Sequence, residues 1–357
     1  MRRIQEFLIR HYHVLSLGAF VIGFGIDSLV LKRIDLLLSN LILYTYLVLV
    51  IFSMVMIHIA FTQIRVSRVM RTIESFLPFV AQYAFGGMFS GFLLFYSQSG
   101  TLVSSWPFLL FILVLIFVNE LMQSYQARLA YQSVLLGFCL LSFSIYSVPI
   151  LTGSMGTFEF VVSNIVSLIA LGLFTGLLWS IDRVRVRHSL RHVVVGVIIL
   201  YSVIALLYTT NILPPIPLSL KDVGVYHSVE RVGTAYRVEA ESGPWYEQFW
   251  RTPITLAPGS RLYAFSSVFA PTDLNTRIVH EWQYKNDAGD WQTYATIPFD
   301  ISGGRDGGYR GYSIIVPPDP GLWRVNIETE RGSLIGRTSM IITFASSTPE
   351  TVSSILE

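Results

Sequence analysis

Seven apolar segments, each close to the length that crosses a lipid bilayer, fill the first 212 residues of the chain. A helix rises about 1.5 Å per residue, so about 20 apolar residues cross a hydrocarbon core about 30 Å thick. Because backbone amides in hydrocarbon must be paired within their own segment, we expect helices. The segments are 14–31, 36–61, 78–97, 105–122, 132–151, 159–180 and 193–212. The sequence therefore predicts a seven-helix transmembrane domain over residues 1–212.

Basic residues in the short connections predict the orientation of this bundle, because basic loops are retained in the cytoplasm during insertion. With a cytoplasmic N-terminus, eleven Arg residues lie in inner segments and only Lys32 and Arg33 lie in outer ones. The eleven are Arg2, Arg3, Arg10, Arg65, Arg68, Arg71, Arg128, Arg183, Arg185, Arg187 and Arg191. We therefore expect a multi-pass membrane protein, which in a bacterial host means the cytoplasmic (inner) membrane. Everything after residue 212 is expected on the extracytoplasmic side, which is the periplasm if the host is a Gram-negative bacterium.

The two halves of the chain differ in the sign of their charge. Residues 214–357 contain 12 Lys or Arg and 16 Asp or Glu, a net charge of −4, whereas residues 1–213 contain 13 and 7, a net charge of +6. An acidic exported domain disfavours binding to nucleic acid, which is a polyanion. The apolar segments make the lipid bilayer a predicted partner. No pattern in the sequence indicates an oligomeric state.

Carboxylates within the apolar segments are few and lie near segment ends. Asp27 is close to the outer end of the first segment, and Glu120 is at the inner end of the fourth. Charged side chains deep in a membrane are costly and mark transport pathways, so their near absence disfavours a transporter. We interpret Asp27 and Glu120 as residues that pair locally or extend to the interface. A functional carboxylate at either position is the alternative.

Two small-residue motifs predict close helix packing. Gly87 and Gly91 (GMFSG) are four residues apart in the third segment, as are Gly172 and Gly176 (GLFTG) in the sixth. This spacing leaves one helix face without side chains, so a neighbouring helix can approach closely. We expect the glycines to pack inside the bundle rather than to form a dedicated dimer interface.

The chain changes character after residue 212. Residues 213–220 contain Pro214, Pro215 and Pro217, which fix φ and remove backbone donors, and they are predicted to end the last helix and form a spacer. The following residues 221–345 alternate between apolar and polar with a period of two, which is typical of strands. The predicted strands are 223–230, 234–240, 261–269, 277–285, 291–297, 309–316, 322–329 and 334–344. Their number and spacing predict an all-β domain, an antiparallel sandwich of Ig-like architecture.

Two segments after residue 221, one inside the predicted domain and one after it, do not follow the strand pattern. Residues 243–252 carry four aromatic residues at helical spacing, which predicts a short helix or turn that closes one end of the sandwich. An aromatic anchor at the lipid headgroups is the alternative. The tail over residues 346–357 is rich in Ser, Thr and Pro and is predicted to be disordered.

One stretch of the exported domain resembles a known family. Between Arg261 and Met340 it contains, in order, the strand HEWQYK, the loop GGRDGGYRGYS and the strands GLWRV and GSLIGR. In this pattern the chain is similar to uncharacterised bacterial membrane proteins with a C-terminal domain of unknown function 2914. The resemblance implies a membrane anchor followed by an exported β domain. It implies no catalytic residue.

The glycine-rich segment Gly303–Ser313 is the predicted binding surface. Its glycines permit positive φ and close backbone approach, while the Arg and Tyr side chains could bind a carboxylate, a phosphate or a sugar ring. The predicted binding residues are Arg305, Asp306, Tyr309, Arg310, Tyr312 and Glu281. The alternative is a tight crossover in which Asp306 and Arg310 bond to the loop's own backbone or to Glu281.

No catalytic or metal-binding constellation is predicted. His280 and Glu281 are adjacent in a strand, so their side chains point to opposite faces and cannot act on one substrate. The exported domain contains only His227 and His280 and no Cys, so neither a metal nor another cofactor is expected.

These features favour a membrane-anchored envelope protein whose β domain binds a periplasmic protein or a glycan, a binding module rather than an enzyme. The alternative is an enzyme of envelope biogenesis that acts on a lipid-linked substrate at the outer membrane face, through a carboxylate such as Asp27. A transporter ranks third, because the sequence shows neither midplane charges nor paired broken helices.

Overall fold

The computed structural model describes residues 24–31, 36–62, 68–121, 129–242, 251–346 and 349–356. The chain divides into two compact units. One contains the helices and ends at Leu213. The other contains Pro214–Glu357 together with the short segments Gln98–Ser105 and Gly153–Met155. The predicted division into a helical half and a sheet-rich half is therefore confirmed.

The helical unit contains six long helices in its described part, preceded by a helical segment over residues 24–30. They are α1 (Leu37–Phe61), α2 (Arg68–Gln98), α3 (Leu102–Leu121), α4 (Leu129–Thr152), α5 (Thr157–Ile181) and α6 (Arg183–Thr209). Five of these, α1, α2, α4, α5 and α6, are long and apolar enough to cross a membrane. The helix α3 has a shorter apolar stretch, Ser104–Asn119, and most of the first predicted segment lies outside the described residues.

The helix α6 begins at Arg183, ten residues before the predicted start of the last apolar segment. Asp182 caps it, because its Oδ1 accepts hydrogen bonds from the backbone N–H groups of Val184 and Arg185, each at 3.1 Å. The basic first turns are too polar for a hydropathy window to include. The predicted apolar segment 193–212 therefore covers only the later part of a longer helix.

Burial within the helical unit is uneven. The helix α4 is central, with Phe138 packed against Phe89, Phe92 and Phe111 at ring centroid distances of 5.5 to 6.1 Å. On α5, by contrast, large apolar side chains are exposed, including Leu173 at 72%. Water would oppose so large an apolar surface, which suits a helix face in contact with lipid.

The second unit contains eleven described strands. They are β1 (Ser219–Tyr226), β2 (Ser228–Val232), β3 (Ala235–Glu241), β4 (Thr252–Leu256), β5 (Leu262–Phe269), β6 (Asn275–Lys285), β7 (Trp291–Ser302), β8 (Tyr309–Ile315), β9 (Gly321–Thr329), β10 (Leu334–Phe344) and β11 (Thr351–Leu356). They form a five-stranded sheet in the order β4-β10-β9-β6-β7 and two three-stranded sheets, β1-β5-β8 and β11-β3-β2.

One apolar core is shared by the five-stranded sheet and the β1-β5-β8 sheet. It includes Trp282 from β6, Trp323 from β9, Met340 from β10, and Leu262 and Val268 from β5, each at most 1% exposed. The alternation of apolar residues along the predicted strands supplies these inward-facing side chains. A smaller cluster, built around Val229, Val238 and Phe265, packs the β11-β3-β2 sheet against β5.

Several details of the predicted sheet domain are corrected. The pair β4 and β10 is parallel, so a wholly antiparallel arrangement is wrong. The predicted strand 223–230 is two strands, because the chain turns at His227. The prediction of a disordered tail is also wrong, since Thr351–Leu356 forms β11 and pairs with β3 along its whole length. Of the aromatic segment 243–252, residues 243–250 lie outside the described residues and Thr252 begins β4.

Candidate functional site

The glycine-rich segment connects β7 to β8 and bonds to neighbouring parts of its own domain. The backbone N–H of Gly303 donates to the carbonyl of Leu274 at 2.9 Å, and that of Gly304 donates to Ala270 at 3.1 Å. The guanidinium of Arg310 donates to the carbonyl of Thr234 at 2.8 Å, in the turn between β2 and β3. Much of this segment's bonding capacity is therefore used within the domain.

The aromatic residues of the same segment also have partners. The Arg305 guanidinium lies 5.3 Å from the ring centroid of Tyr309, within the range of a cation–π contact. Tyr312 packs against Tyr236 and Tyr263 at centroid distances of 6.3 and 6.1 Å. Asp306 lies in the exposed turn between β7 and β8. Five of the predicted binding residues thus lie together in this segment.

Glu281, the sixth predicted binding residue, belongs to a different group of side chains. It lies on β6, where its carboxylate accepts hydrogen bonds from Thr293 Oγ1 at 2.7 Å and from Asn326 Nδ2 at 3.1 Å. Thr293 is on β7 and Asn326 is on β9. The structure therefore places Glu281 between β9 and β7 on one face of the five-stranded sheet.

We call this group the sheet-face network. Its members are Glu281 and Gln283 on β6, Trp291 and Thr293 on β7, Arg324, Asn326 and Glu328 on β9, and Arg337 on β10. Register across the sheet aligns them, because Glu281 is opposite Asn326 and Asn326 is opposite Arg337. Residues at alternate positions on neighbouring strands share a face, so the pairing of four strands assembles the network.

Amide side chains orient the two Arg residues of the network. Arg324 Nε donates to Gln283 Oε1, and Arg337 Nε donates to Asn326 Oδ1, each at 2.6 Å. The Arg324 guanidinium also lies 4.1 Å from the ring centroid of Trp291. Within the described residues, no carboxylate oxygen lies within 4.0 Å of either guanidinium. Opposite charges therefore share this face without forming direct ion pairs.

The charges of the network are partly buried, and their pKa values show it. Burial lowers the pKa of Arg324, and the neighbouring Arg337 lowers it further. Burial also lowers the pKa of Arg337. For Glu328, burial and then the charge of Glu281 raise the pKa to about 7. Water therefore solvates these groups incompletely.

Replacing Glu328 with Gln is expected to stabilise the protein above pH 7. The pKa of Glu328 is raised to about 7, which means that the folded state opposes ionisation of this carboxyl group. The stability that the protonated Glu328 contributes below pH 4.5 is therefore lost as the pH rises through 7. An uncharged amide side chain at this position avoids the loss. Urea unfolding midpoints of the full-length protein at pH 8 and pH 4 measure the effect, and an equal shift at both pH values would contradict it.

A second polar cluster lies in the core. His280 is fully buried, with Ser266 Oγ 2.7 Å from its Nε2 and Ser313 Oγ 2.9 Å from its Nδ1. Trp282 Nε1 donates to the same Ser313 Oγ at 2.9 Å. Burial lowers the pKa of His280 to about 4, so the imidazole is neutral. Because a substrate has no access to it, this Ser–His arrangement serves packing rather than catalysis.

The predicted membrane residues differ in their surroundings. A Cβ atom at Gly87 would lie 2.5 Å from the ring of Tyr46, and one at Gly91 would lie 2.7 Å from Leu43, so these glycines admit neighbouring side chains. At Gly172 and Gly176, a Cβ atom would meet no atom within 4 Å.

The two predicted membrane carboxylates are described to different extents. The Tyr46 hydroxyl donates to Asp27 Oδ1 at 3.4 Å. The side chain of Glu120 lies outside the described residues. In the described part of the chain, no group of three or more His, Cys, Asp or Glu residues could hold a metal ion.

Comparison with known proteins bears on the resemblance. The family model described as protein of unknown function (DUF2914) matches residues 275–340, which confirms the predicted resemblance. The match extends from the start of β6 into β10 and so includes both the glycine-rich segment and the sheet-face network. No curated protein matches the chain.

Two solved structures show weak similarity. A β-glucosidase from Listeria innocua, in complex with isofagomine, is 12% identical with a TM-score of 0.20, and the match covers 31% of this chain and 16% of the enzyme. The alkylpurine DNA glycosylase AlkC of Pseudomonas fluorescens, bound to DNA, is 11% identical with a TM-score of 0.23, covering 78% of this chain and 83% of that protein. At these TM-scores neither similarity carries an argument about fold or function.

Most of the sheet-face network was not predicted from the sequence. Glu281 was among the predicted binding residues, but Gln283, Arg324, Asn326 and Arg337 were not. A signal was present, because RVNIE places Arg324, Asn326 and Glu328 at alternate positions of one strand. Whether these three residues belong to a larger polar group depends on which strands lie beside β9. The sequence pattern does not indicate those neighbouring strands.

Proposed function

We propose that this chain is a membrane-anchored protein of the bacterial envelope whose C-terminal β domain binds a polypeptide or a glycan outside the cytoplasm. The proposal includes seven membrane spans, a cytoplasmic N-terminus and a periplasmic domain of Ig-like sandwich architecture. Five apolar helices and the asymmetric distribution of Arg residues support it. The core shared by two sheets supports the sandwich.

The observation that carries the proposal is the sheet-face network. Partly buried charges are unfavourable unless they are paired or hydrogen-bonded, yet the described residues place no carboxylate in direct contact with Arg324 or Arg337. Their amide partners bind only the Nε edge of each guanidinium. A ligand that bonds to the remaining N–H groups would add charge-assisted hydrogen bonds to groups that burial already desolvates.

Photocrosslinking in living cells tests this function. Thr296 is exposed on β7, opposite Glu281 in the sheet register, and a benzophenone amino acid there would face a bound partner. We expect a discrete high-mass adduct from position 296. A probe at Asp287, in the exposed turn between β6 and β7, serves as the matched control and should give none.

A third probe position separates the two candidate surfaces. Adducts from Arg305 but not from Thr296 would move the function to the glycine-rich segment and overturn the assignment to the sheet face. No adduct from either position would contradict the binding function itself.

The alternative of an enzyme acting on a lipid-linked substrate has one supporting contact, the hydrogen bond from Tyr46 to Asp27. A transporter remains third. If Asp27→Asn abolished the cellular phenotype of the gene while Arg324→Gln left it intact, the enzyme would replace the binding module.

A further inference from the structure

We infer that the sheet-face network binds an uncharged glycan, recognised through its hydroxyl groups. The inference rests on the proposed function and specifies the ligand of the same site. It follows from the position of the network in the sheet and from the arrangement of its donors and acceptors.

The central part of the network lies on strands that are paired on both sides. The central strand β9 pairs with β10 on one side and with β6 on the other, so its backbone groups are used within the sheet. A polypeptide that binds as an added strand needs a free edge. A ligand over β9 and β6 must therefore be recognised by side chains, whereas an added strand would lie beyond β7, which pairs only with β6 among the described strands.

The charges of the network complement a ligand that both donates and accepts hydrogen bonds. The guanidinium groups of Arg324 and Arg337 only donate, whereas the carboxylate of Glu281 only accepts. A hydroxyl does both, so two neighbouring hydroxyls of a sugar can accept from a guanidinium and donate to a carboxylate together. An anionic ligand would be repelled by Glu281, and a cationic ligand by the two Arg residues.

The remaining members of the network also suit a glycan. Gln283 and Thr293 present uncharged polar groups beside the ionic ones, and hydrogen bonds to each other, to Glu281 and to the buried Asn326 hold them in place. The Arg324 guanidinium lies over the ring of Trp291, so a cation rather than a bare aromatic ring is presented at this position. The exposed Thr293 and Thr296 leave the β7 margin accessible.

The test uses the full-length protein in lipid nanodiscs and measures binding by calorimetry. The probes are neutral hexasaccharides of β-1,4-linked glucose, α-1,4-linked glucose, β-1,4-linked xylose and β-1,4-linked N-acetylglucosamine, with hexagalacturonate as the acidic counterpart. We expect at least one neutral probe to bind, with little dependence on salt because no net charge is neutralised.

Variants assign the binding to the network. Glu281→Gln and Arg324→Gln should each weaken binding at least about tenfold, because each removes a charge-assisted hydrogen bond. Arg277→Gln is the matched control, since Arg277 is exposed on β6, the strand of Glu281, and pairs with Asp300 and Glu330 outside the network. This control variant should leave the affinity unchanged. Thermal unfolding of each variant establishes that the fold is retained.

The failing outcomes are distinct. Binding of no neutral probe, binding of hexagalacturonate alone, or affinity unaffected by Glu281→Gln and Arg324→Gln in folded protein would overturn the glycan inference. If Thr296 then crosslinked to a polypeptide, the binding function would stand with a different ligand. If Thr296 gave no adduct either, both proposals would fall.

Discussion

Acidification of the full-length protein from pH 7 to pH 4 is expected to remove about 3 kcal/mol of stability from the C-terminal unit through His280. Burial lowers the pKa of this imidazole from its usual 6.5 to about 4. The imidazole of the unfolded chain therefore binds a proton near pH 6.5, whereas the imidazole of the folded chain binds it only near pH 4. The contribution of His280 to the free energy of unfolding is fully present above pH 6.5 and is lost as the pH falls toward 4.

The contacts of His280 explain why protonation is unfavourable. Ser313 Oγ accepts the indole N–H of Trp282, so its own hydroxyl is free to donate to Nδ1 of a neutral imidazole. Nε2–H then donates to Ser266 Oγ. A second ring proton would place a positive charge in a fully buried site, where none of the described carboxylates forms an ion pair with the ring.

The measurement is urea unfolding at several pH values, followed by tryptophan fluorescence. The Glu328→Gln background is preferable, because the raised pKa of Glu328 changes stability in the opposite direction over part of the same range. In that background, adding His280→Gln should flatten the dependence between pH 6.5 and pH 4, since an amide does not titrate there. Equal slopes with and without His280 would show that another group controls acid unfolding.

Replacing Gly303 with Ala is expected to destabilise the C-terminal unit by about 3 kcal/mol or more. A Cβ atom there would overlap the carbonyl oxygen of Pro271, a backbone atom that cannot rotate away. The N–H of Gly303 also bonds to the carbonyl of Leu274, so the chain cannot retreat without losing that bond. The close approach of two backbones requires glycine at this position.

Gly307, four residues along the same segment, supplies the matched control. A Cβ atom there would lie 3.0 Å from Arg310 Nη2, the far end of a flexible side chain. We expect Gly307→Ala to change stability by less than about 1 kcal/mol. Thermal unfolding of the two variants in detergent tests the contrast, and similar unfolding temperatures would contradict the assigned structural role of Gly303.

The two interpretations of the glycine-rich segment, binding surface and tight crossover, could not be separated from composition. Glycines that admit a ligand and glycines that admit a neighbouring backbone are identical in sequence. The structure supplies neighbours for Gly303, at Pro271, and for Arg310, at Thr234. Both contacts join residues far apart in the chain, which is why no local pattern predicted them.

The fold was predictable wherever a local signal was strong. Apolar length located α1 and α4 to within a few residues, and strict alternation located β6 within the resembling region. The strands β4 and β11 were missed because TPITL and TVSSIL are short and only weakly patterned. Their conformation depends on the partners β10 and β3, to which they add as edge strands.

The sequence alone determined that this chain has a helical half suited to lipid and a sheet half suited to water. Hydropathy and periodicity are properties of residues that are close together in the sequence. Lipid and water each favour one such pattern directly. Only the tertiary structure decided that β9 lies between β6 and β10, and hence that Glu281, Arg324, Asn326 and Arg337 share one face. Sheet order and register come from pairing energies between distant segments, and these depend on the whole set of competing partners.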